Sequence, residues 1–261
     1  MLNDSSSATT TKRRLTRASF FSVFGRILFA LAVFVVSQIV AAILVVAIGT
    51  ATNLVQGDVD TWLNDSVGAQ FAYILVAETL VVVAIVLFLR HKKESLSSIG
   101  VTPFRSKFLP YAAIGYGAYF GIYILVATLI YTFVPGIDVD QEQQVGFDGA
   151  TGALELGLTF ASLVIIPPLV EEFLFRGFLF SAVRKYFSLV TTTIVVSILF
   201  ALGHLQFGNG APLLWIAAID TFVLSVILCV LREKTGSIWS GVIINALKNG
   251  VAFTALFLVT T

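Results

Sequence analysis

Glu171 and Glu172 are adjacent carboxylates, and with Arg176 they lie inside an otherwise apolar run, Pro167-Pro168-Leu169-Val170-Glu171-Glu172-Phe173-Leu174-Phe175-Arg176-Gly177. Ionisable groups in such a setting cost several kcal/mol, about 3 on insertion scales, and are found paired or at work. On a helix Glu172 and Arg176 are i,i+4 neighbours with the acid on the N-terminal side, the favourable order for an ion pair. Glu171 is turned about 100° away and has no local cation. The spacing therefore predicts a structural pair, Glu172 with Arg176, beside a carboxylate free for chemistry.

Other polar residues in apolar runs are Glu78, His204, Asp220, Asn245, Lys248 and Asn249. Phe200-Ala-Leu-Gly-His204 sets an aromatic ring one turn before the histidine. Asn245 and Asn249 share a helix face, with Lys248 close to it. If their helices pack against the Glu-Glu segment, Glu171, His204 and Asn249 converge on one cavity. Hydrolysis suits that set. A carboxylate drawn out of bulk water is a better general base, a histidine can hold the water, and amide N–H groups can stabilise an oxyanion. Taken singly, Asn245 reads as a hydrogen-bonding link between helices, and Asp220 as a partner for Lys248.

The elements that must position these residues follow from composition. Of 261 residues, 57% are hydrophobic and 12% charged, about half the charge of a soluble domain, and the mean hydropathy is +0.96. This is the composition of an integral membrane protein, with the lipid bilayer as its first partner and no nucleic-acid-binding character. The single cysteine, Cys229, excludes a disulfide framework and a Cys-based metal site. The expected fold is all-α: a polytopic transmembrane bundle of seven or eight spans, near 27–48, 71–89, 109–134, 154–185, 188–206, 212–231 and 238–259. An eighth, re-entrant segment fits only between 207 and 231. The fourth element is too long for one straight span, and Pro167-Pro168 is where it would kink. Gly117 and Gly121 have the GxxxG spacing of a close helix contact.

The chain divides into a basic, disordered tail (1–26), N-terminal spans with a basic loop (27–108) and a core (109–261). Lys and Arg fall in the tail, in the loop Arg90-His91-Lys92-Lys93, and near Lys185 and Arg232. The loops holding Asp58, Asp60 and Asp65, and Asp138, Asp140, Glu142 and Asp148, contain neither. The positive-inside rule then puts the N-terminus in the cytoplasm and the C-terminus outside.

Residues 109–258 resemble the CPBP (CAAX-processing and bacteriocin-processing, or Abi) family of intramembrane proteases. Pro167 to Gly177 matches the family's Glu-Glu-x-x-x-Arg block, and Phe200 to His204 its Phe-x-x-x-His block. Thr235-Gly-Ser-Ile-Trp-Ser240 with Asn245 to Asn249 matches its third block. The resemblance implies an intramembrane endopeptidase acting on membrane-associated peptides or proteins, lipidated or not. Glu171 would be the base, His204 its partner and Asn249 an oxyanion group, with Phe200 and Lys248 supporting them. It also implies a bacterial cytoplasmic membrane, where the chain's length and lack of added domains fit best.

One position departs: Asn245 stands where the family carries histidine. Zinc takes three or four ligands drawn from His, Cys and carboxylate, and only Glu171 and His204 are on offer. A divalent metal such as zinc, held by Glu171 and His204, is therefore disfavoured though left open, and the glutamate-based description of the family's chemistry is favoured over the metal-based one. The same departure keeps open a catalytically silent scaffold or bacteriocin-immunity protein. A small proton-coupled transporter using Glu78, Asp220 and Lys248 is a further alternative.

Overall fold

The computed structural model describes residues 17–55, 57–137, 145–205 and 213–259. The basic residues Lys12, Arg13 and Arg14 and the acidic Asp138, Asp140 and Glu142 lie outside that set. The described residues form an all-helical bundle: α1 (Arg17–Ala51), α2 (Val59–Asp65), α3 (Val67–His91), α4 (Phe108–Phe133), α5 (Ala153–Arg184), α6 (Leu189–Leu202), α7 (Trp215–Thr235) and α8 (Trp239–Val259). Six of these are long and apolar enough to cross a membrane; α6 is apolar but shorter. The protein is thus a multi-pass membrane protein.

Helix starts follow their caps. Asp58 accepts the Thr61 N–H at 3.1 Å, Ser66 that of Ala69 at 3.2 Å and Ser188 that of Thr191 at 3.1 Å. Each meets a donor that the first turn leaves free. Helix α7 stops at Gly236, whose φ of +68° is the left-handed conformation that glycine adopts without strain. Block three opens there: Trp239 Nε1 donates to Thr102 O at 2.6 Å, and Ile238 N to Gly100 O at 3.1 Å. The basic loop is thereby tied to the start of α8.

Two expectations are corrected. The first helix begins at Arg17, so 17–26 is helix rather than disordered tail. Arg26 does not interrupt it, because Nη1 donates to Glu94 Oε2 at 2.9 Å and the guanidinium lies over the Phe88 and Phe178 rings. Gly117 and Gly121 make no helix contact. The buried stripe of α4 is Phe108, Ala112, Gly115 and Tyr119, and both glycines of the GxxxG pair face away from it. Gly115 is the close approach, where a Cβ would stand 2.6 Å from Leu231 and 2.8 Å from Ile244. Helix α5 continues through the proline pair, as the single long fourth element expected from the sequence. It widens to π-helix on both sides, over Ala161–Ile165 and Glu172–Leu179.

The bundle centres on α5. Its π-segments pack against α3 and α8, while α6 lies along α7, and α4 lies against α7 and α8. Charged residues gather at one end. Arg26, Glu94 and Lys185 share a shallow cleft there, and Arg184 pairs with Glu233 at 2.8 Å. At the other end Gln70 Oε1 accepts the Phe147 N–H at 2.9 Å, over an apolar cluster of Val67, Phe147 and Ala150.

Candidate active site

Residues without N–H groups set the local geometry. Pro167 and Pro168 have no N–H, so Leu163 O, which faces Pro167 in α spacing and Pro168 in the π spacing of Ala161–Ile165, has no backbone donor in either. A buried carbonyl left unpaired costs about 1–3 kcal/mol. The Asn249 side chain on α8 meets it: Nδ2 donates to Leu163 O at 2.9 Å. The proline pair and Asn249 together fix how α5 and α8 meet.

Four residues further along α5 is Glu171. Its Oε2 accepts a hydrogen bond from Asn245 Nδ2 at 2.7 Å, and its Oε1 lies 3.8 Å from His204 Nε2. The two outer groups reach it by different means. Asn245 is one helical turn before Asn249 and shares its face. His204 lies just past the end of α6, whose 14 residues rise about 21 Å. That is short of a hydrocarbon core of about 30 Å, so α6 alone does not cross one. His204 Nδ1 is 2.8 Å from Phe200 O. A carbonyl only accepts, so Nδ1 carries a hydrogen, and Nε2 is the ring nitrogen turned toward Glu171.

Glu172 points the other way. Its Oε1 is 2.8 Å from Arg176 Nη1, and both side chains are fully buried. The guanidinium lies 4.2 Å from the centre of the Phe200 ring, and the His204 ring is 4.6 Å from the same phenylalanine. Phe200 thus links the buried ion pair to the imidazole. Arg232 Nε donates to Arg176 O at 3.1 Å. Glycine is needed at 241, where any Cβ would run into the Glu172 carboxylate.

Asp220 and Lys248 pair at 2.7 Å, and Tyr119 donates its hydroxyl to the same aspartate. Lys248 lines a cavity of about 260 Å³ together with Glu171, His204, Asn245, Asn249 and Thr221. Its polar groups are a carboxylate, an imidazole, a hydroxyl, amides and an ammonium. A second cavity, about 460 Å³, meets Glu171 and His204 from the opposite side, between α1, α3, α5 and α6. Glu78 faces that one.

One imidazole and one carboxylate meet at the site, an amide stands at 245, and among the described residues no three His, Cys, Asp or Glu side chains are grouped to hold a metal. Outside the match with sequence expectations are Gly241, Arg232 and Tyr119, which carry no motif. Gly241 follows the Gly-Ser-Ile-Trp-Ser lead-in directly, and the Glu172 carboxylate it meets is about 70 residues away in sequence.

Comparison with known proteins adds a family. The model of the Rce1-like family, type II CAAX prenyl endopeptidase Rce1-like, matches residues 153–251. All three sequence blocks fall inside that span, in keeping with the resemblance to CPBP intramembrane proteases. No curated protein and no solved structure matches the chain.

Proposed function

We propose that this chain, whose residues 153–251 match the model of the Rce1-like family, type II CAAX prenyl endopeptidase Rce1-like, is an intramembrane endopeptidase whose attacking water is activated by Glu171. The observation that carries the reading is the setting of Glu171, held by Asn245 on one oxygen and facing His204 Nε2 with the other.

In the proposed reaction a substrate water lies beside Glu171 Oε1 and His204 Nε2, within about 3 Å of each. Glu171 takes one of its protons as the oxygen attacks the scissile carbonyl carbon, and the carbonyl π electrons move onto oxygen. Two groups are offered to that oxyanion: the N–H of Asn249 that does not serve Leu163, and the Lys248 ammonium. The C–N bond then breaks, and the proton held by Glu171 passes to the leaving nitrogen. The products are a carboxylic acid and an amine. Asn245 orients the base, and Phe200 holds the imidazole. Glu172 and Arg176 keep the helix in place without taking part.

The substrate is proposed to be a membrane-associated peptide or protein, lipidated or not, that reaches the site from the bilayer. The proposed orientation puts the N-terminus in the cytoplasm, supported by the gathering of Arg26, Lys185 and Arg184 at one end. Reporter fusions at Lys93 should then read internal, and at Asp60 external.

A second reading is a catalytically silent relative, a scaffold or immunity protein, which Asn245 in place of histidine favours. The transporter alternative has less support, since Asp220 is held by Tyr119 and Lys248 while Glu78 faces the other cavity. Comparing the peptides of cells carrying wild type and Glu171→Gln tests the leading reading. Peptides that accumulate only with wild type support it. Identical peptide profiles, with the phenotype retained, would move the assignment to the scaffold.

A further inference from the structure

We infer that the cavity between α1, α3, α5 and α6 receives a cationic, otherwise apolar segment of the substrate, and that Glu78 is the residue that recognises it. This rests on the endopeptidase reading of Glu171 and His204, which close the inner end of the same cavity.

The cavity measures about 460 Å³, and its walls are apolar, with Leu31, Phe34, Leu174, Phe175 and Leu199 among them. Two carboxylates, Glu78 and Glu171, are the acidic groups on its lining, and no lysine or arginine lies among the lining residues. Other ionisable side chains at membrane depth have found partners within the protein: Glu172 has Arg176, Asp220 has Lys248 and Tyr119, and Glu171 has Asn245. Glu78 has no hydrogen bond or ion pair with any described residue. Nearby, Gln38 has its oxygen occupied by the Tyr73 hydroxyl at 2.5 Å, which leaves its amide N–H groups for the cavity.

A carboxylate in lipid-facing structure is costly to keep without a counter-charge. In a low-dielectric cavity its attraction for an incoming cation is correspondingly strong. Apolar walls with one acid therefore select a segment in which a lysine, arginine or amine is flanked by apolar groups. The opposite cavity carries the Lys248 ammonium. Lys248 is offset by Asp220 there, so the acid without a partner lies on only one of the two approaches to Glu171, which orients the bound chain: its cationic part lies on the Glu78 side of the scissile bond. Glu78 is on α3, outside the family-matched segment, so this selectivity belongs to this chain's own N-terminal helices.

The test uses the full-length protein in nanodiscs and two apolar peptides that differ at one residue, lysine in one and norleucine in the other. Binding is read by fluorescence anisotropy, and cleavage by mass spectrometry on the same samples. Wild type should bind the lysine peptide about tenfold tighter or more, as for a desolvated charge pair. Glu78→Gln should bring that ratio near one, and Glu78→Asp should keep part of it. Equal binding by wild type overturns the inference without recourse to any variant. So does a ratio that survives in folded Glu78→Gln, or a lack of measurable binding by either peptide. Selective binding with neither peptide cleaved would leave the inference standing and count against the endopeptidase reading.

Discussion

The side-chain amide of Asn249 donates to the carbonyl oxygen of Leu163 at 2.9 Å, the carbonyl that in regular helical spacing Pro167 leaves without a backbone donor. A residue whose block suggests transition-state chemistry therefore also repairs a helix. Only one of its two N–H groups is used in that way, so the two roles are separable.

Asn249→Ala should lower kcat by about 10²–10³ if the second N–H serves the oxyanion, the usual loss for one such donor. Pro167→Ala returns an N–H to the helix and should recover thermal stability lost in Asn249→Ala. In the double variant, stability should therefore rise while turnover stays low. Recovery of turnover together with stability would make Asn249 a helix cap and nothing more.

The adjacent glutamates should separate by readout. Glu171→Gln keeps the shape of the side chain and should abolish cleavage while leaving the melting temperature in detergent within a few degrees of wild type. Glu172→Gln strands a fully buried Arg176, and stranding a buried charge costs about 3–5 kcal/mol. Yield and melting temperature should fall. Gly241→Ala, which drives a methyl into the Glu172 carboxylate, should resemble Glu172→Gln. A stable Glu172→Gln with an unstable Glu171→Gln would reverse the two roles.

That difference was legible because helical spacing alone relates Glu172 to Arg176. The bundle was legible too, since long apolar runs and the distribution of Lys and Arg need no tertiary information. What spacing could not give was which neighbour each face meets. Asn245 and Asn249 share a face, yet one reaches a carboxylate and the other a carbonyl, because the prolines on α5 decide what is free to accept. Gly117 and Gly121 match a packing motif on a face that α4 turns away from its neighbours. Gly115, two residues earlier, had no motif to mark it.

The Arg26–Glu94 pair at the charged end should make stability depend on pH in a predictable direction. Hydrogen bonds from the Arg26 guanidinium hold the Glu94 carboxyl below its ordinary value. A lowered folded-state value means that the contribution is present above the unfolded carboxyl's range, near pH 4.3, and is lost as pH falls through the folded value. The pair is partly exposed, so about 0.2–1 kcal/mol is the scale. The melting temperature of wild type should exceed that of Glu94→Gln at pH 7, and the gap should close as the pH falls below 4. A gap that widens on acidification would contradict the pairing.

Asn245 offers the sharpest test of the chemistry, because it joins the departure from the family to the base itself. Its amide donates to Glu171 Oε2 at 2.7 Å, and a hydrogen bond to a charged group is worth about 1.5–3 kcal/mol. Asn245→Ala should then lower kcat/KM by about 10–100-fold, through a misdirected base, with little change in stability. Asn245→His restores the family's residue and can still donate to Glu171, so activity should be equal to wild type or higher. A chelator should leave wild type unaffected, since no third ligand joins Glu171 and His204 among the described residues. Lys248 divides the outcome further. Lys248→Met should depress turnover if the ammonium serves the oxyanion, but only stability if it does no more than pair with Asp220 at 2.7 Å. Inhibition by chelator that added zinc reverses would overturn the metal-free mechanism. An Asn245→Ala variant as active as wild type would show that Glu171 needs no amide to orient it.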